Sequence, residues 1–191
     1  MIMTYEPIRP PFTLSFEEMP KKELGRYLEW FGEALPQRVG KLTKAVQSTP
    51  GYESWQPDGN PSSLSLLGQW FVTQIAVRPR SENEIKNIEK KTKFPIDIPC
   101  EELTDHTLSL AMDIGMYLSQ VFLKNHPSLK WEQPLANKKF IDYGQPVLVA
   151  FKLGPFNPVR MVVTFAYGVV SQKRKGDGLW DIFEKWSKLV A

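Results

Sequence analysis

Cysteine and histidine are scarce in this sequence: its 191 residues include one cysteine, Cys100, and two histidines. A lone cysteine excludes an intramolecular disulfide and favours a reducing compartment. Structural zinc usually takes four cysteine or histidine ligands, so we expect no metal site. Cys100 is followed by Glu101 and Glu102, and acidic neighbours disfavour the reactive thiolate. We therefore expect an inert cysteine rather than a catalytic nucleophile.

A strong excess of either charge is also missing. The 24 basic and 21 acidic residues leave a net charge of +3, whereas a nucleic-acid-binding surface gathers basic residues on one face. The densest basic run, Lys173-Arg174-Lys175, precedes a Gly-Asp-Gly turn. Cations interact favourably with the dipole at a helix C-terminus, so we interpret this run as a helix end. We expect no nucleic-acid partner.

Long apolar runs are absent as well. No uncharged stretch of the sequence approaches the roughly 20 residues that a membrane-spanning helix needs. The N-terminal residues 1–12 contain Glu6 and three prolines in place of the apolar core of a signal peptide. These features predict a cytoplasmic protein without a membrane partner.

The sequence signatures of common enzyme sites are missing too. The chain has no Gly-x-Ser-x-Gly elbow, no Walker loop and no Gly-x-Gly-x-x-Gly fingerprint. We therefore predict no cofactor and assign no catalytic residue. Carboxylates remain as candidates for acid–base chemistry, in Glu101, Glu102, Asp105 and Asp113. Acidic residues at the start of a helix ordinarily stabilise its dipole, which leaves Asp113 as the most informative of them.

Hydrophobic residues make up 42% of the chain, and over residues 1–100 their spacing predicts mainly helices. After Pro20, one helical face recurs at steps of three and four, in Leu24, Leu28, Phe31 and Leu35. Pro36 interrupts this pattern, which then resumes to about residue 49. Because proline removes a helical hydrogen bond and clashes with the preceding turn, we expect two packed helices in this region.

Three further segments complete the N-terminal half. The turn formers of residues 50–61 precede a helical pattern that begins at Ser62 or Ser63, includes Ile75 and ends at Arg78-Pro79-Arg80. The sequence from Ser81 to Glu84 is typical of a capping box and predicts a short charged helix to about residue 91. The prolines that follow predict an extended connection over residues 91–103.

The C-terminal half, residues 101–191, is predicted to contain a helix, a meander of strands and two more helices. The first helix, residues 103–126, is apolar around most of its girth and should be largely buried. Gly115 within it indicates close approach by another backbone. The pattern of short apolar runs and turn formers predicts three antiparallel strands, over residues 129–133, 139–143 and 146–153.

Residues 159–170 are rich in β-branched side chains, which alone would favour a strand. Asn157 and Pro158 suit the N-cap and first positions of a helix, and the apolar residues that follow share one helical face, so we predict a helix. A final helix is predicted over residues 179–189. The predicted fold is a helix-dominated α+β single domain, residues 1–191, with a small antiparallel sheet of about three strands.

Asp113 and Arg160 are charged residues on the two predicted apolar helices. Asp113 lies between Leu110 and Tyr117 on the first of these helices, and Arg160 lies on the second. A buried carboxylate needs a partner, so we predict a structural ion pair between Asp113 and Arg160. A catalytic carboxylate at Asp113 is the alternative, since functional sites also bury titratable groups.

Aromatic residues at predicted strand and loop ends suggest a protein-binding surface. Trp131, Tyr143 and Phe156 stand near Asp142 and two lysines, and exposed aromatic residues ringed by charge are typical of such surfaces. We therefore predict Trp131, Asp142, Tyr143 and Phe156 as partner-binding residues. The alternative for each aromatic residue is that it closes over the core, because aromatic side chains bury much area.

Three segments together resemble a family of small uncharacterised bacterial cytoplasmic proteins. They are residues 62–81, which end in Arg-Pro-Arg-Ser, residues 108–134, and residues 141–162. The resemblance carries no catalytic motif, so it transfers no site residue. Small bacterial proteins of this build include immunity proteins for secreted toxins, and the resemblance extends that expectation to this chain by class alone.

The sequence thus favours a non-catalytic cytoplasmic protein-binding module, in its narrower form an immunity-type inhibitor that occludes a bacterial toxin domain. The alternative is a small-molecule-binding protein or hydrolase, with a pocket near Asp113 or the Glu101 region. A subunit of a homo-oligomer is the third hypothesis, and it would show as an exposed apolar face on the helix at residues 179–189.

Overall fold

The computed structural model describes residues 5–91 and 97–191 of the chain. Its helices are α1 (Lys21–Gln47), α2 (Ser63–Gln74), α3 (Glu82–Lys91), α4 (Asp105–Asn125), α5 (Pro158–Val170) and α6 (Gly178–Ser187). Its strands are β1 (Val77–Pro79), β2 (Glu101–Leu103), β3 (Lys130–Glu132) and β4 (Val147–Val149). The predicted helix-dominated α+β class is confirmed.

α1 is one continuous helix of 27 residues, so the predicted division at Pro36 is wrong. Its core-facing positions continue through the proline without a shift in period, from Leu24 to Val46. Pro36 and Gly32, one turn earlier, are both exposed. On that face water can hydrogen-bond the Gly32 carbonyl group, which loses its helical donor at Pro36.

α4 is the central helix, and it packs most extensively against α5 and then against α1. Most of its residues are buried, as the sequence predicts. A Cβ atom added at Gly115 would lie 2.7 Å from the Cα atom of Val159 on α5, so the predicted close backbone approach is confirmed. The helix over residues 158–170 is confirmed as well, with the Asn157 side chain accepting a hydrogen bond from the Arg160 amide at its start.

The strands form two separate two-stranded antiparallel sheets instead of one three-stranded meander. β3 and β4 lie within the predicted strands at 129–133 and 146–153 and pair with each other. β1 pairs with β2 in a sheet that the sequence did not predict, because the helix expected to end at Arg78-Pro79-Arg80 already ends at Gln74.

The expected middle strand, residues 139–143, is a series of turns. The Asn137 side chain accepts from the Lys139 amide, and the Phe140 amide bonds back to the Asn137 carbonyl. An asparagine that binds its own neighbouring backbone competes with a strand ladder.

Several local predictions are confirmed. In the capping box, the Ser81 amide donates to Glu84 at 2.7 Å, and the Glu84 amide donates to the Ser81 hydroxyl at 3.3 Å. α6 buries Leu179, Ile182 and Phe183, so its apolar face is covered within the chain. The predicted extended connection falls partly on residues 92–96, which lie outside the described residues, and its end forms β2.

Among the helices of residues 5–91 and 97–191, none combines the length and apolar character that crossing a membrane requires.

Candidate functional site

Asp113 pairs with Arg38 of α1, and the predicted ion pair between Asp113 and Arg160 is wrong. The Arg38 guanidinium donates two hydrogen bonds of 2.8 Å, one to each carboxylate oxygen. Tyr5 donates its hydroxyl hydrogen to the same carboxylate at 2.5 Å, and its oxygen lies 2.9 Å from the Ser109 hydroxyl. The sequence pattern did not indicate this arrangement, because Arg38 lies on the buried face of α1 where arginine is rare.

This buried cluster of Tyr5, Arg38, Ser109 and Asp113 joins the segment before α1 to helices α1 and α4. Burial raises the pKa of Asp113 above its ordinary value, although the hydrogen bonds from Arg38 and Tyr5 oppose that shift. Burial also raises the pKa of Tyr5, and the nearby Asp113 charge adds to the effect. Asp113 has no exposed surface. A ligand therefore has no access to the carboxylate, and the geometry does not favour a catalytic or ligand-binding role for it.

Arg160 pairs instead with Asp142. Its Nε atom lies 2.7 Å from one carboxylate oxygen of Asp142, and a second guanidinium nitrogen lies 2.8 Å from the other. Asn157 donates to Asp142 and to Gln145, at 2.9 Å in both cases. These bonds tie the loop before β4 to the start of α5. The hydrogen bonds that Asp142 accepts from Arg160 raise the pKa of Arg160.

Three of the four predicted partner-binding residues are buried, which contradicts the exposure on which that prediction depended. Asp142, Tyr143 and Phe156 are only 1%, 2% and 1% exposed. Phe156 packs against Phe122 and Trp186 in the core. Trp131 is half-buried on β3, with its ring edge-on to Phe31 at 5.5 Å. Of the four, Tyr143 lines a cavity that opens to solvent.

That cavity is a cleft of about 680 Å³ between residues 14–18 and residues 140–145. We call it the 14–18/140–145 cleft. Its lining comprises apolar, aromatic and acidic residues, namely Leu14, Ser15, Phe16, Glu17, Glu18, Phe140, Ile141, Tyr143 and Gln145. Ile141 is 66% exposed, and among large apolar side chains of the described residues only Leu153 is more exposed. The cleft therefore presents an apolar side chain to solvent beside two carboxylates.

Both walls of the cleft are held in place by contacts to the rest of the fold. The Ser15 carbonyl accepts from the amides of Glu18 and Met19, which makes a tight turn whose Met19 end is buried. Lys138 donates from its ammonium group to the Glu17 carbonyl at 3.0 Å and so joins the two walls. Gln133 bridges α1 and the second wall by donating to the Leu24 and Gly144 carbonyls.

The Tyr143 hydroxyl is an unsatisfied polar group of the cleft. Within the described part of the chain it makes no hydrogen bond, although the residue is only 2% exposed. No fully buried side-chain oxygen or nitrogen of the described residues lacks a partner. The hydroxyl must therefore keep some accessible surface, and Tyr143 lines the cleft. The hydroxyl can therefore form a hydrogen bond with a ligand that enters the cleft.

The structure also brings together His126 and Ser187, a pair that the sequence did not indicate. The His126 Nε2 atom lies 2.9 Å from the Ser187 hydroxyl, and burial lowers the pKa of His126. A serine in contact with a histidine is one element of a nucleophilic site. However, His126 caps the C-terminus of α4 and Ser187 ends α6. Carbonyl groups face such ends and oppose a developing oxyanion, so we interpret the pair as a link between two helices.

The remaining candidate residues are placed apart from the cleft. Cys100 is exposed, and Glu102 on β2 pairs with both Arg78 and Arg80. Among the described residues, no three His, Cys, Asp or Glu side chains come together as a metal-binding group.

No family model matches the chain, and neither the curated proteins nor the solved structures include a match to it.

Proposed function

We propose that this chain is a non-catalytic protein-binding module whose docking surface is the 14–18/140–145 cleft. The observation that supports this proposal best is the cleft itself, which sets the exposed side chain of Ile141 beside Glu17 and Glu18. Interfaces characteristically combine an apolar anchor with a polar rim. The walls are braced by the Lys138 and Gln133 hydrogen bonds, so a partner would meet a preformed surface and lose little ordering entropy.

The narrower form of the proposal is an immunity-type inhibitor that occludes a bacterial toxin domain in the cytoplasm. Its support is the resemblance carried by residues 62–81, 108–134 and 141–162. The last of these segments supplies Ile141 and Tyr143 to the cleft. An inhibitor that acts by occlusion needs only a complementary surface, and the cleft is a candidate for it.

The volume of the cleft also suits a small-molecule-binding protein, since such sites usually measure about 300–1,000 Å³. This second candidate function concerns the cleft rather than the region near Asp113, because Asp113 has no exposed surface. A metabolite and a protein partner would both occupy the space beside Ile141. The two candidate functions are distinguished by whether a protein or a metabolite remains bound to the purified chain.

Substitution of Ile141 by aspartate tests the proposal, with Leu153→Asp as the matched control. Leu153 is 75% exposed and lies outside the cleft, so the control changes charge and apolar surface in the same way elsewhere. We expect quantitative mass spectrometry of tagged chain purified from its native cells to find a protein retained by the wild type and by Leu153→Asp. Ile141→Asp should lose at least about 90% of it, because a charge buried at a docking site costs several kcal/mol.

Identical retention by all three forms would overturn the cleft as the docking surface. Native mass spectrometry of the same samples separates the second candidate function: a metabolite retained without any protein would replace the protein-binding proposal. For the narrower proposal, the retained protein must be toxic when it is expressed without this chain.

A further inference from the structure

Four polar side chains of the cleft have no hydrogen-bond partner in the described part of the chain. They are the carboxylates of Glu17 and Glu18, which form no ion pair there, and the hydroxyls of Ser15 and Tyr143. Both glutamates are exposed, whereas Tyr143 is 2% exposed. Ionised carboxylates accept hydrogen bonds and cannot donate them, while a phenol hydroxyl can do either. The polar chemistry of the cleft therefore suits an occupant that is rich in donors and carries positive charge.

Among the described residues, no neighbouring side chain donates a hydrogen bond to these acceptors. The Lys138 ammonium donates to the Glu17 carbonyl, not to its carboxylate. Gln145 donates to the Ile141 carbonyl and accepts from Asn157, so its side chain is already engaged. The cleft thus has free acceptors and lacks a side-chain donor that satisfies them.

Aromatic rings complete the lining. Phe16 and Phe140 are half-buried and line the cleft together with Tyr143. A cation placed over an aromatic face is attracted by the electron-rich ring, and more strongly when it is shielded from water. Arginine suits such a lining better than lysine does. Its planar guanidinium stacks on rings and carries five donors in a fixed fork, and it is less strongly hydrated than an ammonium group.

We propose that the 14–18/140–145 cleft receives an arginine side chain from a basic segment of the partner protein. The guanidinium lies against the aromatic lining, donates to Glu17 or Glu18, and donates to the Tyr143 hydroxyl, while apolar residues of the segment contact Ile141. The inference rests on the proposed protein-binding function and names the chemistry of the partner. It requires no movement of the walls, because the acceptors are already turned to accessible surface.

A peptide titration followed by NMR tests the proposal. The probe is a nine-residue Gly-Ser peptide with one arginine between two leucines, and its control carries citrulline, a neutral analogue of nearly the same shape. We expect the arginine peptide to shift amide resonances of residues 14–18 and 140–145 in the ¹⁵N-labelled chain. The citrulline peptide should bind at least about tenfold more weakly, since charge-assisted hydrogen bonds are roughly twice as strong as neutral ones.

Variants of the acceptors locate the contact. We expect Glu17→Gln combined with Glu18→Gln to weaken binding of the arginine peptide about tenfold. Glu29→Gln combined with Glu33→Gln should leave it unchanged, because these exposed α1 glutamates lie outside the cleft. Tyr143→Phe should weaken binding about fivefold and leave Tm unchanged, because its hydroxyl makes no bond within the described residues.

Equal affinity for the citrulline peptide, or unchanged affinity in the Glu17/Glu18 variant, would overturn the arginine assignment. So would the absence of any shift in the cleft resonances with the arginine peptide. Binding of L-argininamide as tight as that of the peptide would assign the site to a small guanidinium compound and overturn the protein source. The retention experiment with Ile141→Asp is independent of these results. A partner that is lost from that variant but kept by the Glu17/Glu18 variant supports the proposed function and overturns the arginine assignment.

Discussion

Two tyrosines of this protein show how one hydroxyl can be structural and another left free. Tyr117 is buried on α4, and its hydroxyl accepts from the Gly59 amide at 3.1 Å and lies 2.6 Å from the Ser63 hydroxyl. Tyr143 is almost as deeply buried, yet its hydroxyl has no hydrogen-bond partner among the described residues. The first hydroxyl therefore stabilises the turn before α2, whereas the second contributes nothing to folding that the structure shows.

This contrast predicts different costs for the same substitution. Tyr117→Phe leaves the buried Gly59 amide unpaired, so we expect it to lower the free energy of unfolding by about 1–3 kcal/mol. Tyr143→Phe should change that free energy by less than about 0.5 kcal/mol. Urea denaturation at pH 7, followed by circular dichroism, measures both. A similar loss in the two variants would mean that Tyr143 has a structural partner after all.

Single residues also explain why the predicted site needed correction. An aspartate on an apolar helix can be recognised from the sequence, and the prediction that Asp113 is a buried carboxylate with a partner is confirmed. Its partner was not visible, since Arg38 and Arg160 carry the same charge and both lie on helices. Their choice of carboxylate depends on which helix face meets α4, and that is a property of packing.

At the scale of elements, the contact between α4 and α5 depends on one glycine. Gly115 lets the Val159 backbone approach so closely that an added Cβ atom would lie 2.7 Å from the Val159 Cα atom and 2.9 Å from its nitrogen. The α1 glycines have no such constraint, because an added Cβ atom at Gly32 would have no neighbour within 4 Å. Glycine therefore has a packing role in one helix and only a conformational cost in the other.

Alanine substitutions separate the two situations. Gly115→Ala should lower the free energy of unfolding by about 1–3 kcal/mol, because the backbone of α5 must move to relieve the overlap. Gly32→Ala should raise it by about 0.5–1 kcal/mol, because alanine restricts the unfolded chain and favours the helix. Chemical denaturation of the two variants beside the wild type gives both values. A stabilising Gly115→Ala would show that the two helices can separate without cost.

The helices were largely predictable and the strands only in part: β3 and β4 lie within predicted strands, whereas β1 and β2 were not predicted. α5 is a helix in spite of its β-branched residues, as Asn157, Pro158 and the period of its apolar face indicate. These signals act within a few residues of one another, so a local pattern contains them. The strands have only three residues each, and β1 pairs with β2 across the whole of α3. Such short segments become strands through their distant partners, which no local pattern records.

At the scale of the whole molecule, the cluster of Arg38, Asp113 and Tyr5 joins three distant parts of the chain. Arg38 belongs to α1, Asp113 to α4, and Tyr5 to the segment that precedes α1. Arg38 also donates to the Glu6 carbonyl at 3.0 Å, and the Ile8 amide donates to Ser109 at 2.6 Å. The cluster therefore fixes the N-terminal segment against the two helices that carry much of the core.

Removal of one charge from this cluster should lower the free energy of unfolding more than removal of both charges. Arg38→Met leaves the Asp113 carboxylate buried without its counter-charge, and we expect the free energy of unfolding to fall by about 3–5 kcal/mol. The double substitution Arg38→Met with Asp113→Leu should recover at least about 2 kcal/mol of that loss, because no uncompensated charge remains. Urea denaturation of both variants measures the difference. A loss below about 1 kcal/mol in Arg38→Met would mean that water reaches Asp113.

The sequence was sufficient for the helix-dominated class, the burial of α4, the role of Gly115 and the helical state of α5. Each of these follows from side-chain periodicity or from capping residues only a few positions apart. Tertiary structure alone decided the partners of Asp113 and Arg160 and the burial of Asp142 and Phe156. It also formed the 14–18/140–145 cleft, whose walls lie more than 120 residues apart in the chain. Neither wall has a motif of its own, so their joint surface arises only when the turn before α1 and the loop before β4 pack together.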